Sequence, residues 1–252
     1  MGIIKFVAII CLISSYFIIT LPGLIFFAIS PQKTRKVLNK IVSIYSKIVL
    51  KIVNAKIESN LADKKYSHKL IVSNHLSYID IMLLSSQVPS SFVTSIEMKN
   101  TPVLGQITTL AGCLFVERRN KKKIKNEIKD IEEALSAGLN VIVFPEATST
   151  NGEQVLHFKR SLFQAAVNTQ TQVVPVTINY AAINGEPLSL SNRDLVCWYG
   201  DMDFAPHLWK ICQQKEILVQ IEFAKDLKAD DDSAKLRDLA FEVISGNYNP
   251  IN

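Results

Sequence analysis

Between Phe6 and Ile29 the sequence carries no charged residue, and elsewhere it is sparing with the residues that announce a metal or a protein nucleophile. Its four cysteines, Cys11, Cys113, Cys197 and Cys212, are scattered, with no CxxC or CxxH spacing, so a thiolate-type metal site is excluded. They read as buried thiols of a reducing compartment. The G-x-S-x-G elbow of the α/β-hydrolases is absent, which removes the commonest nucleophilic hydrolase of this size. Also missing are internal repeats, low-complexity tracts and any linker long enough to split the body. Positive charge is missing too over residues 66–252, which sum to −3 although the whole chain is +5, and this argues against nucleic-acid binding.

The missing charge sits at the N-terminus. Residues 31–65 hold nine lysines and arginines against two acids, a net of +7, and Lys5 adds one more. Ahead of them the 24 uncharged residues from Phe6 to Ile29 would reach about 36 Å as a helix, enough to cross a hydrocarbon core of roughly 30 Å. Pro22 and Gly23 should kink that helix. A cleaved leader is the rival reading. Against it stand a single Lys5 as the basic leader, the length of the apolar run, and Pro31 directly after the best small-residue site at Ala28 and Ser30. Next, "KVLNKIVSIYSKIVLKIVN" (36–54) puts Leu38, Val42, Tyr45, Val49 and Ile52 at helical spacing with lysines between them, an amphipathic helix. Residues 1–55 therefore read as a two-helix membrane-binding segment and 56–252 as the catalytic domain. A basic helix beside an apolar one suits an anionic cytoplasmic leaflet and keeps the body on the cytoplasmic side of an inner membrane.

From residue 66 strand-like and helix-like stretches alternate. "KLIVSN" (69–74), "SFVTS" (91–95), "CLFVE" (113–117), "NVIVF" (140–144), "QVVPVTIN" (172–179) and "EILVQIEF" (216–223) are β-branched runs. Helical candidates fall at 79–87, 121–137, 160–169 and 233–246, the second stopping before Gly138. The expected class is α/β, a largely parallel sheet with helices packed on it.

"LIVSNHLSYIDIMLL" (70–84) sits where the first of these strands gives way to a helix, and ligands of open α/β sheets gather at such strand ends. His75 is then at a mouth. If the helix begins near Ser77, Asp80 lies in its first turn and can return to one imidazole nitrogen. The other nitrogen is left to take a proton from a substrate hydroxyl. A second reading stands beside the first: Ser77 and Asp80 match the S-x-x-[DE] capping box, a purely structural task.

Three more stretches bear on the choice. "GCLFVERR" (112–119) ends a strand with Arg118 and Arg119, a guanidinium pair suited to phosphate. "VFPEATST" (143–150) has Pro145 and Glu146 at a strand tip. "VVPVTI" (173–178) places Pro175 inside a strand-like run, which argues for an edge or a bulge. With these motifs in hand, the chain resembles the phospholipid/glycerol acyltransferase family, whose members include lysophosphatidic acid acyltransferases. The family's N-H-x-x-x-x-D, G-x-x-F-x-x-R, F-P-E-G-T-R-S and V-x-P-V patterns appear in order at Asn74 to Asp80, Gly112 to Arg118, Phe144 to Thr150 and Val173 to Val176. "CWYGDMDFAPHLW" (197–209) is similar to bacterial members, including lyso-ornithine-lipid acyltransferases, and has no chemistry assigned to it.

The resemblance implies a glycerolipid acyltransferase fold, His75 as general base with Asp80 as its orienting partner, and no metal. Arg118 would bind an acceptor phosphate. Glu146 and Thr148 would hold its polar head, Asn74 would belong to the binding set, and Pro175 would shape the acyl side. The implied reaction moves a fatty-acyl group from an acyl thioester, acyl-CoA or acyl-carrier protein, to the free hydroxyl of a lysoglycerolipid. The favoured acceptor is 1-acyl-sn-glycerol-3-phosphate, giving phosphatidic acid; the alternatives are a lysophospholipid or lyso-ornithine-lipid acceptor, or an inactive lipid-binding scaffold. The implied partners are membrane lipids and the thioester carrier, with no cofactor beyond that co-substrate. Two departures lower the positive charge of the site. Ala147 and Ser149 stand where the family has glycine and arginine, and Thr94 and Ser95 occupy a strand that often carries lysine. Arg119, Lys159 and Arg160 are the cations available to compensate.

Overall fold

A computed structural model describes residues 2–61, 66–117, 124–229 and 232–252, with the backbone alone for 124–127. The apolar N-terminus forms α1 (Gly2–Thr20) and α2 (Gly23–Ile29), broken at Pro22 as the sequence requires, since proline cannot supply the N–H that a continuous helix needs there. Pro31 opens α3 (Pro31–Val53) at a first-turn position, where a missing N–H costs nothing. Asn54 closes α3 in the left-handed conformation at φ 60°.

The body follows as β1 (Ala55–Ser59), β2 (Leu70–Ser73), α4 (Ile79–Gln87), β3 (Ser91–Ser95), α5 (Ile96–Lys99), α6 (Leu104–Leu110) and β4 (Leu114–Val116). Then come α7 (Ile124–Ser136), β5 (Val141–Val143), α8 (Phe163–Asn168), β6 (Val173–Ile183), β7 (Glu186–Pro187), α9 (Phe204–Gln213), β8 (Ile217–Phe223) and α10 (Ser233–Asn247). Gly138, at φ 80°, ends the α7 turn as expected: its N–H bonds the Leu135 carbonyl and that of Leu139 the Ala134 carbonyl. The residue patterns had not indicated β1, β7, α5, α6 or α9.

The strands make one sheet in the order β1-β8-β6-β2-β5-β3-β4, with β7 paired to β6. The run β6-β2-β5-β3-β4 is parallel, and β8 joins it antiparallel to β6. All of β2 and β5 is buried, because helices cover both faces, and this is why their sequences are unbroken apolar runs. Ile71 points to the face packed by α1, α3, α4 and α9; Leu70 and Val72 point to the face packed by α7, α8 and α10.

Two expectations are corrected here, and a third is decided between its alternatives. Of the edge or bulge expected at Pro175 the structure has the bulge, since Pro175 lies in an interior strand, opposite Val72 of β2. Its missing N–H falls on the β8 side, where Val173 to Val176 faces Phe223 to Leu227, one residue more on the returning stretch. An offset of this kind leaves no donor wanted at that position. Cys11 is exposed on α1, whereas Cys113, Cys197 and Cys212 are buried thiols. The buried stripe of α3 is Thr34, Leu38, Asn39, Ser43, Ser46, Leu50 and Val53, apolar residues mixed with small hydroxyls, with the Asn39 amide bonded to the Ser91 hydroxyl at 3.0 Å. The residues of the expected apolar stripe that lie between, Val42, Tyr45 and Val49, face a cavity.

Candidate active site

The carboxyl ends of β2, β3, β4 and β5 lie at one margin of the sheet, and the loop leaving β2 there carries His75. Asp80, in the first turn of α4, takes the imidazole Nδ1 on Oδ2 at 2.8 Å. The same oxygen accepts the backbone N–H groups of Leu76 and Ser77 at 2.7 and 2.8 Å. One wholly buried carboxylate thus serves the imidazole and makes half of the capping box, accepting the Ser77 N–H, while the Asp80 N–H goes to the Ser77 carbonyl and not to its hydroxyl. Its Oδ1 accepts the Tyr180 hydroxyl from β6 at 2.7 Å. With four donors fixed around it, Asp80 holds the imidazole in the tautomer that has its proton on Nδ1, leaving the Nε2 lone pair for a substrate. Phe144 stacks on the imidazole at 4.0 Å between ring centroids and 13° between planes, which fixes the ring's tilt as the carboxylate fixes its direction.

The tip of β5 grips the His75 backbone. Glu146 accepts the His75 N–H on Oε1 and the Leu156 N–H on Oε2, both at 2.7 Å. Thr150 donates its N–H to the His75 carbonyl at 2.9 Å. Burial pushes the Glu146 carboxyl up to about 7, only partly offset by the two N–H groups it accepts. The backbone turns back at Ala147, whose φ is +65°, at the position where the resembling family carries glycine. Asn74 is likewise turned inward: its amide donates to the Ile178 carbonyl at 2.9 Å and accepts the Ile178 N–H at 2.8 Å, tying the loop to β6.

His75 opens on a cavity of about 460 Å³ with an apolar wall. Ile9, Leu12, Ile13 and Tyr16 of α1 and Val42, Tyr45 and Val49 of α3 form one side, and Phe92, Ile107, Phe204 and Leu208 contribute from the body. Near His75 the rim is hydroxylic, with Thr94, Ser95, Thr148 and Ser149. Of the described residues expected to act in catalysis or binding, His75 and Thr148 line this cavity. Asn74, Glu146 and Pro175 lie behind it and brace the loop or the sheet. Lys159 is exposed, away from the lining, and donates its backbone N–H to the Pro145 carbonyl at 2.8 Å. Arg160 donates to the Ser233 hydroxyl at 2.9 Å. Arg118 and Arg119, just past β4, lie outside the described residues. The sequence holds no sign of Tyr180 or of the α1 wall, and Thr150, at the end of the F-P-E stretch, carries no role there. Phe144 was in view as the first letter of F-P-E, but nothing local said that its ring would meet the imidazole.

The family pattern described as Acyltransferase matches residues 53–179, from the end of α3 into β6. The lyso-ornithine lipid O-acyltransferase of Rhizobium meliloti is 33% identical over 168 residues, 64% of this chain and 58% of that protein. The 1-acyl-sn-glycerol-3-phosphate acyltransferase of Neisseria gonorrhoeae is 32% identical over 177 residues, 69% of this chain and 67% of its own length. The chain thus spans roughly three-fifths to two-thirds of these curated relatives. Among solved structures, the 1-acyl-sn-glycerophosphate acyltransferase PlsC of Thermotoga maritima superposes with a TM-score of 0.60 at 20% identity, covering 96% of this chain and 95% of that one, so the two share a fold. With that fold, and with the matched region running through the histidine–aspartate loop and the β5 tip, the chain belongs to the acyltransferase family.

Proposed function

We propose that the protein transfers a fatty-acyl group from an acyl thioester of coenzyme A or acyl-carrier protein to the free hydroxyl of a lysoglycerolipid. The observation that carries this reading is His75 at the mouth of an apolar cavity, its Nδ1 bound to a buried carboxylate. An acyl chain in the cavity brings its thioester carbonyl to the imidazole. His75 Nε2 takes the acceptor hydroxyl proton as the oxygen attacks the carbonyl; the tetrahedral intermediate collapses, the C–S bond breaks, and the imidazolium returns the proton to the leaving sulfur.

The first acceptor to test is 1-acyl-sn-glycerol-3-phosphate, with Arg118 as the phosphate ligand. A lyso-ornithine-type acceptor is the second reading, favoured by the rim itself: Ser95 and Ser149 offer hydroxyls where a phosphomonoester calls for cations. We place the protein on the cytoplasmic face of an inner membrane. Ile3, Ile4, Ile18, Ile25 and Ile29 are exposed along α1 and α2, and Lys33, Lys36, Lys40, Lys47 and Lys51 are exposed along α3, a combination suited to an anionic leaflet. The test is acylation of lysophosphatidate, lysophosphatidylethanolamine and lyso-ornithine lipid by purified protein with either thioester. Product from at least one acceptor, lost in His75→Ala, is expected. No product from any acceptor with either donor refutes the reading.

A further inference from the structure

The segment 197–213, which carries the aromatic motif CWYGDMDFAPHLW, also packs on the catalytic loop. Trp198 donates its backbone N–H to the Leu76 carbonyl at 2.8 Å, one residue past His75. Two residues further on, the Tyr78 hydroxyl meets Nδ1 of His207, on α9, at 3.0 Å. The Tyr78 ring stands edge-on to His207, Trp198 and Phe204, with centroids 5.5, 5.8 and 4.9 Å away. Tyr78 also lines the cavity beside His75.

His207 is 3% exposed, and burial pushes its imidazole down to about 4, so the ring is neutral at working pH, with one nitrogen protonated and a lone pair on the other. Burial drives the Tyr78 hydroxyl strongly upward, so it keeps its proton and can donate to Nδ1 or accept from it. A leucine would fill the His207 site without the cost of burying an imidazole; the hydrogen-bond partner for Tyr78 is what histidine adds.

We propose that Tyr78 and His207 form a second brace of the catalytic loop, His207 being a positioning residue that acts on the His75–Asp80 dyad through Tyr78. The loop from Asn74 to Asp80 is then clamped twice, by Glu146 and Thr150 behind it and by Trp198 and His207 beside it. This inference rests on the acyl-transfer reading for its kinetic readout.

The test uses the full chain with whichever of the three acceptors above proves to be acylated, and four variants: Tyr78→Phe, His207→Leu, the two combined, and His207→Asn, whose amide takes the place of Nδ1. Tyr78→Phe and His207→Leu should each lower kcat by about tenfold, with little change in either KM, because the loop shifts while the cavity keeps its shape. The double variant should be no slower than the slower single one, and His207→Asn should recover most of the rate. Wild-type kcat in Tyr78→Phe, losses that multiply in the double variant, or a change confined to KM each overturns the proposal.

A readout that needs no turnover separates the two readings. It is the rate at which diethyl pyrocarbonate modifies His75, followed by peptide mass spectrometry, which should change in Tyr78→Phe and revert toward wild type in His207→Asn. If wild type acylates nothing but these rates move as stated, the brace stands and the acyl-transfer reading falls. If wild type is active and neither kcat nor the modification rate moves, the brace falls alone.

Discussion

Residues 74–80 and the facing surfaces of α1 and α3 meet at one cavity, yet they are held by different forces. In the loop the Asn74 amide, the His75 backbone and ring, the Leu76 backbone, the Ser77 N–H, the Tyr78 hydroxyl and the Asp80 carboxylate are all committed to hydrogen bonds. The helical wall offers Ile9, Leu12, Ile13, Val42 and Val49, whose contacts are non-directional. Its polar fixings include Ser15 with Tyr45 at 3.1 Å, the Tyr16 hydroxyl on the Ile107 carbonyl at 3.5 Å, Asn39 with Ser91, and Lys5, whose buried ammonium donates to the carbonyls of Gln214 and Val53 at 2.6 and 3.4 Å, at the C-terminal ends of α9 and α3. On the proposed mechanism the difference has a reason: proton transfer tolerates little displacement, which directional bonds to His75 would limit. The proposed acyl chain would need only a shape and the exclusion of water, which an apolar wall can supply.

The loop half of that contrast breaks hardest at its centre. His75→Ala should lower kcat by about a hundredfold to ten-thousandfold while circular dichroism and the melting temperature stay near wild type. Near-normal turnover would show that His75 is not the base. Asp80→Asn should cost rate and also stability, by roughly 1–3 kcal/mol in a denaturant titration, because an amide presents a donor to groups that are themselves donors. An unchanged stability would mean that the backbone N–H groups of Leu76 and Ser77 do not depend on the carboxylate.

Removing residues 1–30 tests the wall. The deletion should release the protein from firm membrane attachment, with α3 still binding anionic vesicles in a salt-sensitive way. It should also lower kcat/KM by about tenfold, since uncovering even two methylenes of acyl chain forfeits about 1.6 kcal/mol. A truncated protein with full kcat/KM would leave α1 as an anchor and no more.

A smaller effect separates the clamp from the chemistry. Because the Glu146 carboxyl rises from 4.5 to about 7 on folding, the folded state holds its proton more tightly than the unfolded chain does. Its contribution to stability is therefore fully present below about pH 4.5 and declines as pH rises through about 7, by on the order of 3 kcal/mol. Glu146→Gln lacks this titration, so the stability of wild type minus that of the variant should fall over the same window and then level off. A difference that rises with pH would reverse the assignment. Smallest is Ala147→Gly, which relieves a left-handed alanine and should raise stability by about 1 kcal/mol, or about 2–4 °C in melting temperature. No gain would mean that the turn at +65° costs alanine nothing here.

The sequence by itself carried the order of the main strands and helices, the break at Pro22, the helix stop at Gly138 and the His75–Asp80 pair. These are local matters: hydrophobic period, proline and glycine geometry, and two side chains five residues apart on one turn. Tertiary structure alone decided what surrounds them. Tyr180 reaches Asp80 from 100 residues away because β6 lies beside β2, a pairing that no local pattern encodes. Glu146, expected at the acceptor's head, spends both oxygens on backbone N–H groups, because the turn at Ala147 folds the β5 tip back onto the His75 loop. The apolar N-terminus, legible as something that meets lipid, becomes a wall of the cavity only because Lys5 and the Phe6–Trp209 edge contact dock α1 onto α9. Composition fixes which segments leave water; which surface each segment then meets depends on strand order and helix packing, and these arise only once distant stretches of chain are brought together.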